Sequence, residues 1–134
     1  WSNPTEVVQV SLETNASKTI YLGSYMQMPY DFRGGSQVIR LNDKYRFACV
    51  HTVDLYKSEV GNKDATYRHC FIVWDNDWNV HRYTKPFSFL DTKIEFCTGM
   101  QEYEDNYLIS FGLQDNASYI LKTPKHILEN ICLN

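Results

Sequence analysis

The chain has 134 residues, 43% hydrophobic, 22% charged and 15% aromatic, with six Gly and four Pro. This excludes a disordered or low-complexity segment and predicts one packed domain over 1–134, long enough to bury a core without a disulfide or metal. Thirteen Lys and Arg against sixteen Asp and Glu leave a formal charge of −3, which argues against a nucleic acid partner, because phosphate neutralisation needs a concentrated positive field.

No stretch reaches the roughly 20 apolar residues of a membrane span, so no membrane partner is expected. The opening Trp1-Ser2-Asn3-Pro4 carries neither a basic nor an apolar leader region. The chain starts without Met, as a processed product or a piece of a longer polypeptide does.

Aromatic and β-branched residues cluster in short runs broken by Asn, Asp and Gly, which predicts an all-β fold. The first strands are predicted over 6–11 and 19–22. Arg33-Gly34-Gly35-Ser36-Gln37 then leads into a strand over 36–41. Paired glycines allow close backbone approach to a ligand, and Arg33 offers a fork for a carboxylate, phosphate or vicinal hydroxyls; a plain turn is the alternative. No Gly-Lys-Ser/Thr follows, so this is not a P-loop.

After a turn at Asn42-Asp43 come strands over 45–53 and 67–74, too apolar for a sheet with one wet face and therefore expected to be buried on both sides. The thirteen residues between them, with Lys57, Glu59, Lys63 and Asp64, read as a charged surface loop and candidate lid. His51 and His69 lie on these two strands, with Tyr67 on the same face as His69. They are either an acid/base or ligand-binding group or satisfied structural histidines.

A turn at Asp75-Asn76-Asp77 precedes a strand over 80–83, and strands over 94–101, 107–111 and 118–122 follow. Short turns predict antiparallel hairpins throughout. Asp115, at a turn and near Tyr119, has the chemistry to accept hydrogen bonds from sugar hydroxyls while an aromatic ring covers an apolar sugar face; a local Asx turn is the alternative. The only predicted helix spans 124–131.

Cys49, Cys70, Cys97 and Cys132 lack paired Cys-x-x-Cys spacing, which excludes a zinc finger; no metal or cofactor is expected. Three sit in apolar runs and read as buried reduced thiols, which favours a cytoplasmic setting. Asn15-Ala16-Ser17 and Asn116-Ala117-Ser118 are glycan acceptors if the chain is secreted. No nucleophile elbow or His-Glu-x-x-His occurs, so no catalytic residues are assigned.

A faint repeat is visible: strand, loop, strand and polar turn recur around Phe47–His51 with His69–Asp75, and around Leu108–Gly112 with Ser118–Lys122. Such recurrence marks propeller blades. The succession Arg33-Gly34-Gly35-Ser36-Gln37-Val38-Ile39, Phe47–His51, Tyr67-Arg68-His69-Cys70-Phe71, Trp74-Asp75, Pro86-Phe87, Glu95-Phe96-Cys97-Thr98-Gly99-Met100 and Leu108 through Asp115 resembles the C-terminal part of five-bladed β-propellers of carbohydrate-active proteins. The nearest likeness is the propeller domain that accompanies bacterial and viral glycosyltransferases; glycoside hydrolase family 130, the mannoside phosphorylases, is more distant. The resemblance spans roughly 1–123.

It implies a partial β-propeller of about two and a half four-stranded blades with a short C-terminal helix: a partial blade over 1–32, then blades over 33–90 and 91–134. It also implies a sugar or glycan ligand held by Arg33, Gly35, Ser36, Gln37, His51, Tyr67, His69, Asp115 and Tyr119 at an axial funnel. The position matching Asp115 contacts sugar in the phosphorylase-like family, and the one matching His51 lies near phosphate. That family's general-acid aspartate belongs to earlier blades with no counterpart here, so hydrolysis or phosphorolysis is not expected of this chain alone. The alternatives are an enzyme unit completed by another chain, and an assembly module that self-associates through exposed blade edges.

Overall fold

The computed structural model describes residues 4–24, 29–61 and 63–134. Alternating and β-branched segments form nine strands among them, β1 (Glu6–Val10), β2 (Ser17–Leu22), β3 (Ile39–Arg40), β4 (Tyr45–Lys57), β5 (Lys63–Asp75), β6 (Val80–Tyr83), β7 (Glu95–Tyr103), β8 (Asn106–Leu113) and β9 (Ala117–Pro124), followed by one helix, α1 (Lys125–Leu133). The strands make three antiparallel sheets in sequence order, β1-β2, β3-β4-β5-β6 and β7-β8-β9. The class is all-β, as the short turns and strand-forming composition require.

The middle sheet supplies most of the core, because both its faces are covered. Phe47, Cys49, Phe71 and Val73 point one way, against Cys97, Met100, Tyr107 and Ile109 of the third sheet and Leu128 and Cys132 of α1. Ala48, Val50, Cys70, Ile72 and Trp74 point the other way, against Phe32, Tyr30 and Tyr83. Each fully buried large side chain here removes apolar surface worth roughly 1.5–3 kcal/mol. The first sheet is tied on by Trp74, whose indole N–H donates to Thr5 Oγ1 at 3.1 Å, and by the Tyr21 hydroxyl, 3.2 Å from Asn79 Oδ1.

The sequence expectation of a thirteen-residue surface loop between the two central strands is overturned. β4 and β5 pair without a break from Tyr45↔Asp75 to Lys57↔Lys63, so the charged residues extend the hairpin as a projecting arm. Asp64 anchors it, accepting from the Tyr56 hydroxyl at 3.1 Å and from Lys93 Nζ at 2.7 Å. Of the charges that suggested a loop, Lys57 and Asp64 lie on the paired strands of this arm, and Glu59 lies in the turn that joins them.

The predicted strand over 36–41 shortens to Ile39–Arg40, preceded by an irregular stretch that still tracks β4, with Arg33 and His51 exchanging backbone bonds at 2.8 and 3.1 Å. The helix starts one residue later than predicted and ends at Leu133; Pro124 is its cap, and the Lys125 amide donates to Asp105 O at 2.9 Å. The segment 91–134 carries three strands and α1 rather than four strands. Residues 1–3 and 25–28 of the expected opening unit, 1–32, lie outside the described residues. Among the described residues no helix is long and apolar enough to cross a membrane.

Candidate functional site

Where the start of β7 passes the middle of β4 and β5, aromatic rings gather around His51. The imidazole lies parallel to the Tyr67 ring, 5.3 Å between centroids and 8° between planes, because Tyr67 stands two residues from His69, the register partner of His51. Phe96 closes from the side, edge-on to His51 at 4.9 Å, with 38% of its surface exposed. Backbone pairing of Arg33 with His51 sets the guanidinium at the same edge; its salt-bridge partner Asp31, 3.9 Å away, is itself exposed.

His51 is neutral at physiological pH. Burial pushes its pKa down, the Gly34 carbonyl pulls partly back, and the Arg33 charge lowers it further. Its Nδ1 is buried with no hydrogen-bond partner among the described residues.

Beside Phe96 a cavity of about 400 Å³ opens on the outer face of the third sheet, lined by Ile94, Thr98, Gly112, Gln114, Asp115 and Ser118. Gly112 explains it: it faces Phe96 on one neighbouring strand and Ser118 on the other, and a missing side chain between a ring and a small residue leaves space. Asp115 reaches the cavity from the three-residue connection 114–116, where Gln114 and Asp115 both have positive φ, 51° and 54°, at the centre of a turn closed by the Asn116 amide donating to Leu113 O at 3.0 Å. The Gln114 amide donates to Ile94 O at 3.0 Å and holds this turn beside the start of β7.

The remaining residues singled out in the sequence go elsewhere. Gly35 lies so close to β4 that a Cβ there would stand 2.2 Å from Cys49 O, so its smallness serves backbone packing. The Ser36 hydroxyl accepts from the Cys49 amide at 2.9 Å, and Gln37 uses its side-chain amide to bond both the N–H and the C=O of Met100, stitching the middle sheet to the third. His69 is wholly buried and accepts from the Cys97 amide at 3.0 Å. Tyr119 stacks on Phe111 at 5.7 Å, on the sheet face opposite Gly112 and Ser118, so it does not cover Asp115. Of the predicted residues, Asp115 lines the cavity, His51 contacts the Phe96 ring beside it, Tyr67 stacks on His51, and Arg33 pairs with His51 through the backbone.

All four cysteines are free and buried. Burial pushes Cys70 and Cys132 up to about 12 and Cys49 well above the ordinary thiol range, which leaves these three thiols protonated and unreactive. Among the described residues no three His, Cys, Asp or Glu side chains are grouped to hold a metal ion.

Comparison with protein-family models, with curated proteins and with solved structures finds no match.

Two contributors escaped sequence reasoning. Phe96 reads as a core residue beside Cys97, yet alternation along β7 puts it on the opposite face, and only that period-2 phase identifies it. Glu95, wholly buried on the face of β7 opposite Phe96, is one of sixteen Asp and Glu in the sequence, with nothing local to distinguish it.

Proposed function

We propose that this chain is a sugar- or glycan-recognition domain of a carbohydrate-active, glycosyltransferase-like protein, with its three sheets arranged as successive propeller blades. The observation that carries this reading is the parallel His51–Tyr67 pair with Phe96 across it, next to the cavity that ends in Asp115. Aromatic faces cover the C–H side of a pyranose, and a carboxylate accepts from adjacent hydroxyls; Arg33 adds a donor fork at the same edge. A neutral imidazole suits hydrogen bonding to hydroxyls at physiological pH without adding charge.

Isothermal titration against mannose- and glucose-containing glycans tests it. Binding that weakens at least tenfold in Tyr67→Ala and in Asp115→Ala supports the reading, and silence across the panel with folded protein overturns it.

A second reading, an assembly module, has its own observation. On the outer face of the first sheet Val8, Val10 and Leu22 are 45%, 56% and 64% exposed, and β9 forms an edge with no partner strand among the described residues. Unpaired edges and apolar sheet faces favour association. Light scattering at micromolar concentration decides: this reading predicts a stable oligomer, and a monodisperse monomer removes it.

A further inference from the structure

The third sheet is wider than the part of the middle sheet that covers it. Ile109 and Leu121 are register partners on its inner face, yet Ile109 is sealed while Leu121 is 36% exposed. Past the edge of β6 the chain continues through residues 84–89, pinned to β5 by mutual backbone bonds of His69 and Phe87 at 2.7 and 2.8 Å. On the far side α1 inserts Leu128 into the core and leaves Ile131 at the surface. Between these elements lies a cavity of about 520 Å³, within the roughly 300–1,000 Å³ typical of small-molecule sites.

Its chemistry is divided. Phe71, Ile109, Phe87, Phe89, Leu121 and Ile131 make the walls carbon-rich. Thr84 contributes little free polarity, because its hydroxyl already accepts from the Phe71 amide at 2.9 Å. The charged side chains that line the cavity are Arg82 and Lys85, and no described Asp or Glu lines it. In a chain of net charge −3, two cations at an apolar cavity, neither in a salt bridge among the described residues, are a charge-selective arrangement rather than an average of the surface.

We infer that this cavity binds a small amphipathic anion, an aliphatic or aromatic body carrying one carboxylate, sulfonate or phosphate, with the body among the phenylalanines and the anionic group at Arg82 and Lys85. Neither feature alone specifies this ligand. An apolar cavity without cations would take neutral hydrocarbon, and two surface cations without a cavity would take any counterion. The cavity shares no lining residue with the proposed glycan site, so the two assignments stand or fall separately.

Linear carboxylates below their micellar concentrations are the probe, titrated calorimetrically into the full chain. Affinity should rise by up to about fourfold per added methylene from hexanoate through octanoate to decanoate. Octanamide, isosteric and uncharged, should bind at least tenfold more weakly than octanoate. The double variant Arg82→Ser/Lys85→Ser should lose the same factor for octanoate, and Ile131→Trp, at a half-exposed position, should abolish binding by filling the cavity. Near-UV circular dichroism confirms that each variant is folded, and the charge variant decides alone if the tryptophan variant is not. No heat from decanoate, equal binding of octanamide, or octanoate affinity unchanged in the folded charge variant overturns the inference.

Discussion

Nδ1 of His69 stands 3.9 Å from Oε2 of Glu95, with both side chains wholly buried. Because the Cys97 amide donates to His69 Nε2, the neutral ring carries its proton on Nδ1, the atom turned toward the carboxylate. Glu95 is already saturated: it accepts from the amides of Phe89, Leu90 and Thr92 at 2.6, 2.9 and 3.1 Å and from the Thr92 hydroxyl at 3.1 Å. Burial raises its pKa, but these donors outweigh that and hold it below the usual carboxylate range. A buried carboxylate thus shapes the 88–92 loop, and a buried imidazole joins that region to the middle sheet.

Acid should weaken this junction before it affects the rest of the protein. Burial lowers the His69 pKa to about 4 against the opposing pull of Glu95, whereas the unfolded imidazole titrates near pH 6.5. Between those values the unfolded state binds the extra proton. Stability is therefore complete above about pH 6.5 and falls as pH drops toward 4, by on the order of 3 kcal/mol. His51, also lowered by burial, adds to the same slope. Urea denaturation from pH 7.5 to 4.5 measures it, and His69→Gln, which keeps an acceptor for Cys97, should flatten the slope between pH 6.5 and 5.

Glu95→Gln should destabilise by about 2–4 kcal/mol, since the substituted amide turns an NH₂ toward backbone donors that the carboxylate satisfied. Thermal denaturation reads the loss. Amide hydrogen exchange should place it at residues 89, 90 and 92, whose protection falls more than that of β4.

Gly35→Ala should cost about 3 kcal/mol or prevent folding, because its Cβ would stand 2.2 Å from a backbone oxygen of β4 that cannot retreat. Gly61→Ala is the contrast. That residue has φ +81° and open space around it, so only the left-handed penalty of about 1 kcal/mol applies. Paired denaturation curves separate steric from conformational cost.

Gly35 also shows where sequence reasoning reaches its limit. The apolar runs around Cys49 and Cys70, the turns at Asn42 and Asp75, and two-sided burial of the central strands were legible because they are local patterns of hydrophobicity and turn chemistry. A Gly-Gly pair says only that something comes close, and whether that is a ligand or Cys49 O depends on a strand fourteen residues away. The same holds for His69, whose alternation marks it as facing inward but not as the acceptor of the Cys97 amide. The arm from Asp54 to Lys57 was misread for the opposite reason. Its hydrogen-bonded register continues without burial, and hydrophobic pattern carries no record of backbone pairing in solvent.

Asp115→Gly should separate stability from recognition. Gln114 and Asp115 both occupy left-handed conformations, and glycine at the second position removes a Cβ penalty that aspartate bears. The variant should gain about 0.5–1 kcal/mol in denaturation experiments. If the cavity beside Phe96 holds a sugar, the same substitution removes the one carboxylate among its described lining residues, and glycan affinity should fall at least tenfold while the melting temperature rises. Unchanged glycan binding in the stabilised variant would assign Asp115 to the turn alone and leave the site to His51, Tyr67 and Arg33.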